Sequence, residues 1–414
     1  MTGPLPYLLP IYVLATLFPN LLRLPYLPAQ VQLTELLFPF VLLAYGRPAW
    51  RVVRQLPVLS LALAAYCATN VVAALWMEYH FPTRTAGAVA EAGGRCYLAL
   101  LLPLTVAYLR QYGGRRLSRW WVYATAAVAS LSLIVYAAHV AGWMVNNYWV
   151  TEVGNYPYFG RVWRLSGPAN VYGMYAMLLL PGLCLAASRR RYLLALPIGL
   201  ALLLTFAKEN VLVFVALGVY LAAIARRPAV RRAGMVLALL ATVFLQGITH
   251  LLLTELNGPV SRTAYTNGRV VWSDGQLALM ETNYTENKRA AVLLAGRRPW
   301  LGYAPGQFGK WTEDLVAEGN YPANFGRFDP HSVWTGALVE TGLLGLLALL
   351  FLVAIIWRTG SLRVSPVLGA ILCCFLVASV FKDIMNFRQL WVLLGWWVSR
   401  VPSWRFLSDE RPVA

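Results

Sequence analysis

Charge is scarce in this chain. Only 13% of its 414 residues are Asp, Glu, Lys or Arg, and 59% are hydrophobic; a soluble domain carries roughly 25% charged residues. With a mean hydropathy of +0.58, there is too little polar surface for a soluble fold. Carboxylates are scarcer still: 17 Asp and Glu stand against 35 Lys and Arg, a net charge of +18. In a soluble protein that excess would point to nucleic acid. In an apolar chain it reads instead as basic residues that set membrane topology, with no nucleic-acid partner. Cysteine is sparse as well. Cys67, Cys96, Cys184, Cys373 and Cys374 all fall in apolar segments, which argues against a disulfide framework and against a thiolate metal site. No His/Asp/Glu spacing suits a metal, no phosphate-binding loop is present and no nucleophile motif stands out. There is no self-similar period of the kind that marks repeats or inverted transporter halves. The first apolar stretch, Leu5 to Leu22, lacks a basic leader and a small-residue cleavage pattern, so it reads as a retained helix.

What is present is a series of long hydrophobic runs. A helix needs about 20 apolar residues to cross a bilayer, and breaks at charge, Gly or Pro divide the chain into twelve candidate spans. These are 5–22, 31–46, 56–77, 95–112, 120–143, 167–187, 192–207, 210–226, 233–253, 333–357, 365–381 and 385–400. If the amino terminus is cytoplasmic, the even-numbered breaks collect Arg47, Arg51 and Arg54; Arg110, Arg115, Arg116 and Arg119; Arg189 to Arg191; Arg226, Arg227, Arg231 and Arg232; and Arg358 and Arg363. The only acids on that side are Asp409 and Glu410 in the tail. One missed or extra helix would scramble this separation, so the expectation is an all-α polytopic membrane protein of about twelve helices with both ends inside. The parts are then 1–253 (spans 1 to 9), an outer cap loop 254–332, and 333–414 (spans 10 to 12 and tail). The long loop is rich in Trp, Tyr, Asn, Gly and Arg rather than low in complexity, which predicts a packed cap. Within it, Glu286 to Ala295 has the pattern of a short amphipathic helix.

Five constellations on the outer side could carry chemistry. His331, in Asp329-Pro330-His331-Ser332, opens the tenth span; the positive end of that helix disfavours imidazolium, leaving a neutral base, or simply an interfacial capping histidine. Lys208 and Glu209 lie in a tight turn near the membrane surface, as a functional cation or a self-neutralising pair. Basic residues are dense outside: Arg95, Arg161, Arg164, Lys208, Arg262, Arg269, Lys288, Arg289, Arg297, Arg298 and Lys310. They suit an anionic ligand such as a lipid diphosphate, or pair with outer acids such as Glu281, Glu286, Glu313 and Asp314. Pro299 to Phe308 packs two glycines and two prolines into a tight, backbone-exposed turn. Lys382, Asp383 and Arg388 cluster before the last span, where Asp383 either orients a histidine or pairs with Lys382.

Together these segments resemble the O-antigen ligase and polymerase superfamily of bacterial membrane glycosyltransferases, over roughly residues 160–400. Gly167-Pro168-Ala169-Asn170 resembles the family's G-x-x-N helix start. Lys208 takes the place of the arginine in a Ser-Arg pair. Pro299 to Phe308 is similar to P-x-x-G-x-G-x-G-x-F, with Ala304 for one glycine. His331-Ser332 followed by Glu340-Thr341-Gly342-Leu343-Leu344-Gly345 resembles HN…E-x-G-L-x-G. The resemblance implies a fold like the type C membrane glycosyltransferases in the bacterial inner membrane. It also implies an inverting, metal- and cofactor-independent transfer of glycan from an undecaprenyl-diphosphate donor to a lipid or glycan acceptor, on the periplasmic face. On it, His331 is the general base, and Lys208 with a cap cation stabilises the diphosphate. The family's cap arginine falls near Tyr284, so Arg289 is taken as its substitute, with Lys288, Arg161, Arg164, Asn170, Gly302, Gly306 and Asp383 around the substrate. Glu340 stands about 900° of helix beyond His331, on the opposite face, so it is expected to bond a neighbouring helix. The rival reading is a transporter or flippase of lipid-linked oligosaccharide, which would place ionisable residues near mid-membrane.

Overall fold

The computed structural model describes residues 5–19, 32–144, 148–156, 160–256, 266–325, 329–360, 362 and 365–399. Before the cap the helices are α1 (Leu5–Thr16), α2 (Leu33–Gln55), α3 (Pro57–His80), α4 (Pro82–Thr85), α5 (Ala88–Tyr112), α6 (Gly114–Val140), α7 (Tyr172–Ser188), α8 (Tyr192–Leu204), α9 (Leu212–Ile224) and α10 (Pro228–His250). The cap carries α11 (Asn283–Arg297) and α12 (Phe308–Ala317), and the chain closes with α13 (Val333–Thr359), α14 (Pro366–Ala378) and α15 (Arg388–Ser399). Pro57, Pro82, Pro228 and Pro366 each stand in a first helical turn, where the missing N–H would have had no partner anyway.

Each of the twelve expected segments carries a helix. Six of these helices (α2, α3, α5, α6, α10 and α13) are long and apolar enough to cross a membrane, and α1, α7, α8 and α14 are shorter apolar helices of 10–17 residues. The short ones differ from expectation because turns consume their ends: Thr205 to Ala207 leaves the helix before Lys208, and α7 starts at Tyr172 after a 3-10 turn over Gly167–Ala169. Large apolar side chains stay on the surface of the bundle, Leu43 at 83% and Leu193 at 88% exposure among them. A soluble surface does not carry such a belt; this is the exterior of a membrane protein. Inside, α5 is the most enclosed of the long helices, with α2, α3 and α15 packed around it. Trp121, Trp391, Trp396, Tyr108 and Tyr175 are fully buried there. Gly218 and Gly234 let α9 and α10 cross closely: a Cβ on either would come within 2.6 Å of the other's carbonyl oxygen.

Helix dominates, but the chain is not purely helical. β1 (Val150–Tyr156) and β2 (Gly160–Leu165) form an antiparallel pair between α6 and α7. The long loop holds a second sheet of β3 (Leu251–Glu255), β4 (Thr266–Ser273) and β5 (Leu277–Thr282), antiparallel in the order β3-β5-β4. β3 follows α10 directly, so the sheet begins before residue 254. The amphipathic pattern at 286–295 belongs to α11. The cap has its own core: Ala290, Ala291, Leu294, Phe308, Trp311 and Phe325 pack with Ala74 and Met77 of α3, Ala88 and Ala92 of α5 and Val339 of α13. It is thus seated on the helix ends that carry the expected site.

Candidate functional site

The Pro299–Phe308 turn is the clamp that seats the cap. Gly302, Ala304 and Gly306 all take left-handed backbone, with φ of 64°, 74° and 69°. That alternation explains why glycine suits these places, and Ala304 is the one that carries a Cβ in a conformation that disfavours it. Tyr303 and Ala304 donate backbone N–H to the carbonyls of Val339 (2.9 Å) and Glu340 (2.8 Å), and Leu343 donates back to Pro299 (2.7 Å). Gly342, at φ 67°, breaks α13 where the turn docks. A Cβ at Gly302 would lie 2.5 Å from the Val339 oxygen. Gly302 is therefore a backbone contact with α13. Gly306 presses on Glu91 and lines a polar cavity.

At the start of α13, Ser332 caps the helix by accepting from the Thr335 N–H (3.4 Å), and Val333 N–H donates to Ser379 (2.8 Å). His331 takes φ 48° just before the cap. Asp329 stands two residues earlier: its Oδ1 accepts from the His331 backbone N–H (2.7 Å) and lies 2.5 Å from Nδ1. With Nδ1–H donating to this carboxylate, Nε2 holds the lone pair. Burial pushes the Asp329 carboxyl up, but His331 and Lys382 outweigh it and hold the group below its usual range. The orienting role considered for Asp383 falls to Asp329. Asp383 accepts from its own turn, at Met385 N–H (3.1 Å) and the Asn386 amide (3.0 Å), and does not pair with Lys382. Burial pushes the Asp383 carboxyl up, Arg95 opposes, and Asp329 adds to the rise.

Ion pairs remove four cations of the basic cluster, Arg95, Arg269, Arg289 and Arg297, from contention. Arg95 bonds Glu340 (2.5 Å) and Asn70 (3.1 Å), so Glu340 ties α13 to α5, the helix-bonding role its face implies. Arg269 faces Glu281 (3.8 Å), Arg289 faces Glu286 (2.9 Å), Arg297 bonds Glu318 (2.8 Å) and Lys310 donates to the Ala86 carbonyl (3.2 Å). Arg298 lies over Phe81 at 4.5 Å. Glu209 is taken by Lys382 (2.9 Å) rather than by its neighbour Lys208, and Arg388 is taken by Glu35 (2.9 Å). Arg262 and the side chain of Arg161 lie outside the described residues.

Among the described members of the cluster, Lys208, Lys288, Arg164, Arg298 and Lys310 have no carboxylate in ion-pair contact, and of these Lys208, Lys288 and Arg164 gather at one end of the bundle. Lys208 Nζ sits 3.6 Å above the ring of Tyr284, and Tyr284 stacks on His331 with ring centroids 4.7 Å apart. Lys288, one turn along α11 from Tyr284, meets His250 Nε2 at 2.6 Å. His250 Nδ1 bonds the Gln246 carbonyl (2.9 Å), so Nε2 is the acceptor and Lys288 the donor. Arg164 lies over Tyr172 at 4.7 Å, with its Nε buried and unpartnered. The next residue, Gly173, is packed against Glu209. Burial draws the Lys208 ammonium down to about 7; Glu209 resists, while Lys382 and Lys288 add to the fall. Burial draws Lys288 down to about 8. These are ammonium groups short of a counter-anion. Of the two adjacent cap cations, Lys288 and not Arg289 is the one that faces this cluster. Asn170, at φ 56°, is an exposed pivot leading into α7.

Across the His331 loop lies a cavity of about 140 Å³ lined by Glu91, Asp329, Glu340 and Asp383 together with Arg95 and Asn70. Its carboxylates and amide can accept and donate to a hydroxyl-rich, uncharged ligand. Asp329 thus borders the cavity while holding His331, so the histidine stands between an acid-lined space and a set of unpaired cations. No group of three His, Cys, Asp or Glu is placed to hold a metal among the described residues.

Sequence reasoning missed Tyr284, His250 and the role of Asp329. The Asp329 contact was legible, since Asp two residues ahead in Asp-Pro-His is the spacing of a side chain that bonds its own backbone. Nothing local marks Tyr284 or His250; α10, α11 and α13 bring them together. No protein-family model matches the chain, and no curated protein matches its sequence.

Proposed function

We propose that this chain is a membrane glycosyltransferase of the O-antigen ligase or polymerase type, moving a glycan from an undecaprenyl-diphosphate donor to an acceptor hydroxyl. The observation that carries the reading is one juxtaposition. His331, oriented by Asp329, lies in stacking contact with Tyr284, over which Lys208 sits without a carboxylate partner. A base beside unpaired cations is what displacement of a diphosphate by a hydroxyl requires.

In this mechanism the acceptor hydroxyl lies toward the acid-lined cavity and gives its proton to His331 Nε2 as its oxygen bonds the anomeric carbon. The bond from that carbon to the diphosphate oxygen breaks on the opposite face, which inverts the centre, and its electron pair leaves on the phosphate. Asp329 stabilises the imidazolium as it forms. Lys208 and Lys288, with Arg164 behind them, offset the negative charge of the departing diphosphate. On the same reading the twelve apolar helices span the bacterial inner membrane, with both termini cytoplasmic and the cap periplasmic. Reporter fusions at Arg191 and Asn320 should then report opposite sides.

The test is transfer by purified protein in nanodiscs with a lipid-linked glycan donor. His331→Ala should lose about 10²–10⁴ in rate while donor binding persists. Lys208→Ala should weaken donor binding, and Lys208→Arg should retain most activity. Lys288→Ala should cost more than Arg289→Ala. Near-normal transfer by His331→Ala would remove the general base, and transport of the lipid-linked glycan without transfer would favour the flippase reading.

A further inference from the structure

The end of the bundle opposite His331 has its own built recess, and the transfer reading does not use it. α7 starts at the site end, where Gly173 touches Glu209, and finishes at Ser188. The following turn reaches the start of α6, since Arg191 donates to the Tyr123 hydroxyl (2.7 Å) and lies over that ring at 5.4 Å. The start of α6 therefore faces the other way.

α6 opens Gly114-Arg115-Arg116-Leu117-Ser118-Arg119, with no acidic residue in its first turn and no capping side chain. A helix start leaves backbone N–H groups unbonded and favours negative charge; this one carries three arginines in its first six residues instead. Arg115, Arg116 and Arg119 with Tyr7, Trp120 and Tyr123 line a recess of about 820 Å³. The Arg116 guanidinium stacks over Tyr7 at 4.9 Å, and Tyr7 meets Trp120 edge to face with centroids 6.1 Å apart. The three aromatics remain 40–47% exposed. Among the described residues, no Asp or Glu lines this recess. Setting membrane topology needs arginine on one side only, in water. It does not need guanidinium groups held on aromatic rings around a cavity at a helix start.

We infer that this recess binds the phosphate ester of an anionic lipid headgroup. The guanidinium forks of Arg116 and Arg119 take the phosphate oxygens, while Tyr7, Trp120 and Tyr123 suit the depth where amphipathic rings meet headgroups. The site stands whether or not the chain is a glycosyltransferase.

The test is native mass spectrometry of the full chain, released from nanodiscs holding phosphatidylglycerol and phosphatidylcholine. Wild type should retain phosphatidylglycerol over phosphatidylcholine, and Arg116→Gln with Arg119→Gln should lower that retention at least tenfold. Arg116→Lys with Arg119→Lys, which keeps the charge and loses the fork, should fall between. Arg226→Gln with Arg227→Gln, a second basic turn on the same side, should leave it unchanged. Displacement by millimolar inorganic phosphate would keep the site and make its ligand a soluble phosphate ester. Equal retention by wild type and the Gln pair, or an equal loss in the Arg226/Arg227 control, would overturn the proposal. Circular dichroism of each variant separates loss of binding from loss of fold.

Discussion

Replacing Glu340 by leucine should destabilise the chain by about 3 kcal/mol, the low end of the range for breaking a buried ion pair. Glu340 is 5% exposed and Arg95 9% exposed, with their charged atoms 2.5 Å apart. Leucine fills nearly the same volume, so the penalty is chiefly that of a guanidinium left in the interior. Two neighbours temper it. Asn70 keeps its bond to Arg95 at 3.1 Å, and Glu91 lies 4.0 Å from Nε; both border the polar cavity. Arg95→Met together with Glu340→Leu removes both charges, and should return stability to within about 1 kcal/mol of wild type, since burying a pair roughly breaks even against apolar packing. Denaturant titration in detergent of wild type, Glu340→Leu, Arg95→Met and the double variant, followed by tryptophan fluorescence, gives the coupling energy directly. Activity of the double variant should fall even where stability returns, because Glu340 and Arg95 also line the cavity toward which the acceptor hydroxyl lies. A Glu340→Leu protein as stable as wild type would refute the buried-pair argument. A stable double variant with full activity would show that the pair serves the fold alone.

The clamp makes a second contrast. Gly302→Ala combines left-handed backbone with a Cβ 2.5 Å from the Val339 oxygen and should cost at least about 2 kcal/mol in the same titration, since the conformation alone costs about 1–2; Ala304→Gly should stay within about 1 kcal/mol of wild type, relief of strain offsetting the lost methyl. The lysines predict opposite responses to pH. Lys208 and Lys288 titrate at about 7 and about 8 when folded, below an ordinary lysine, so the unfolded chain holds more protons above those values and stability should rise with pH there. Pyrophosphate affinity, measured by calorimetry between pH 6 and 9, should fall over the same window, and Lys208→Arg should flatten that fall because arginine stays charged. A rising affinity would contradict the cation assignment. Transfer should also survive EDTA, since lysine and arginine take the charge of the leaving diphosphate; loss restored by magnesium or manganese would overturn that role.

The sequence by itself determined what depends on neighbours along the chain. Apolar runs placed a helix in each of the twelve segments, six of them long enough to cross a membrane, because a backbone crossing lipid must satisfy its own hydrogen bonds within the segment. Helical periodicity put Glu340 on the face away from His331, and Arg95 meets it there. Asp329 was within reach too, in Asp-Pro-His. Tertiary structure alone decided which charges remain unpaired. Arg95 and Glu340 are 245 residues apart and Lys382 and Glu209 are 173 apart, so no local pattern says that Glu209 deserts Lys208 for Lys382. Likewise Arg289 and Lys288 are equivalent in sequence, and only the angle at which α11 lies against α10 and α13 turns Lys288 toward His250 and Tyr284. Packing distributes a few carboxylates among many cations, and Lys208, Lys288 and Arg164, left over at one end of the bundle, mark the candidate site.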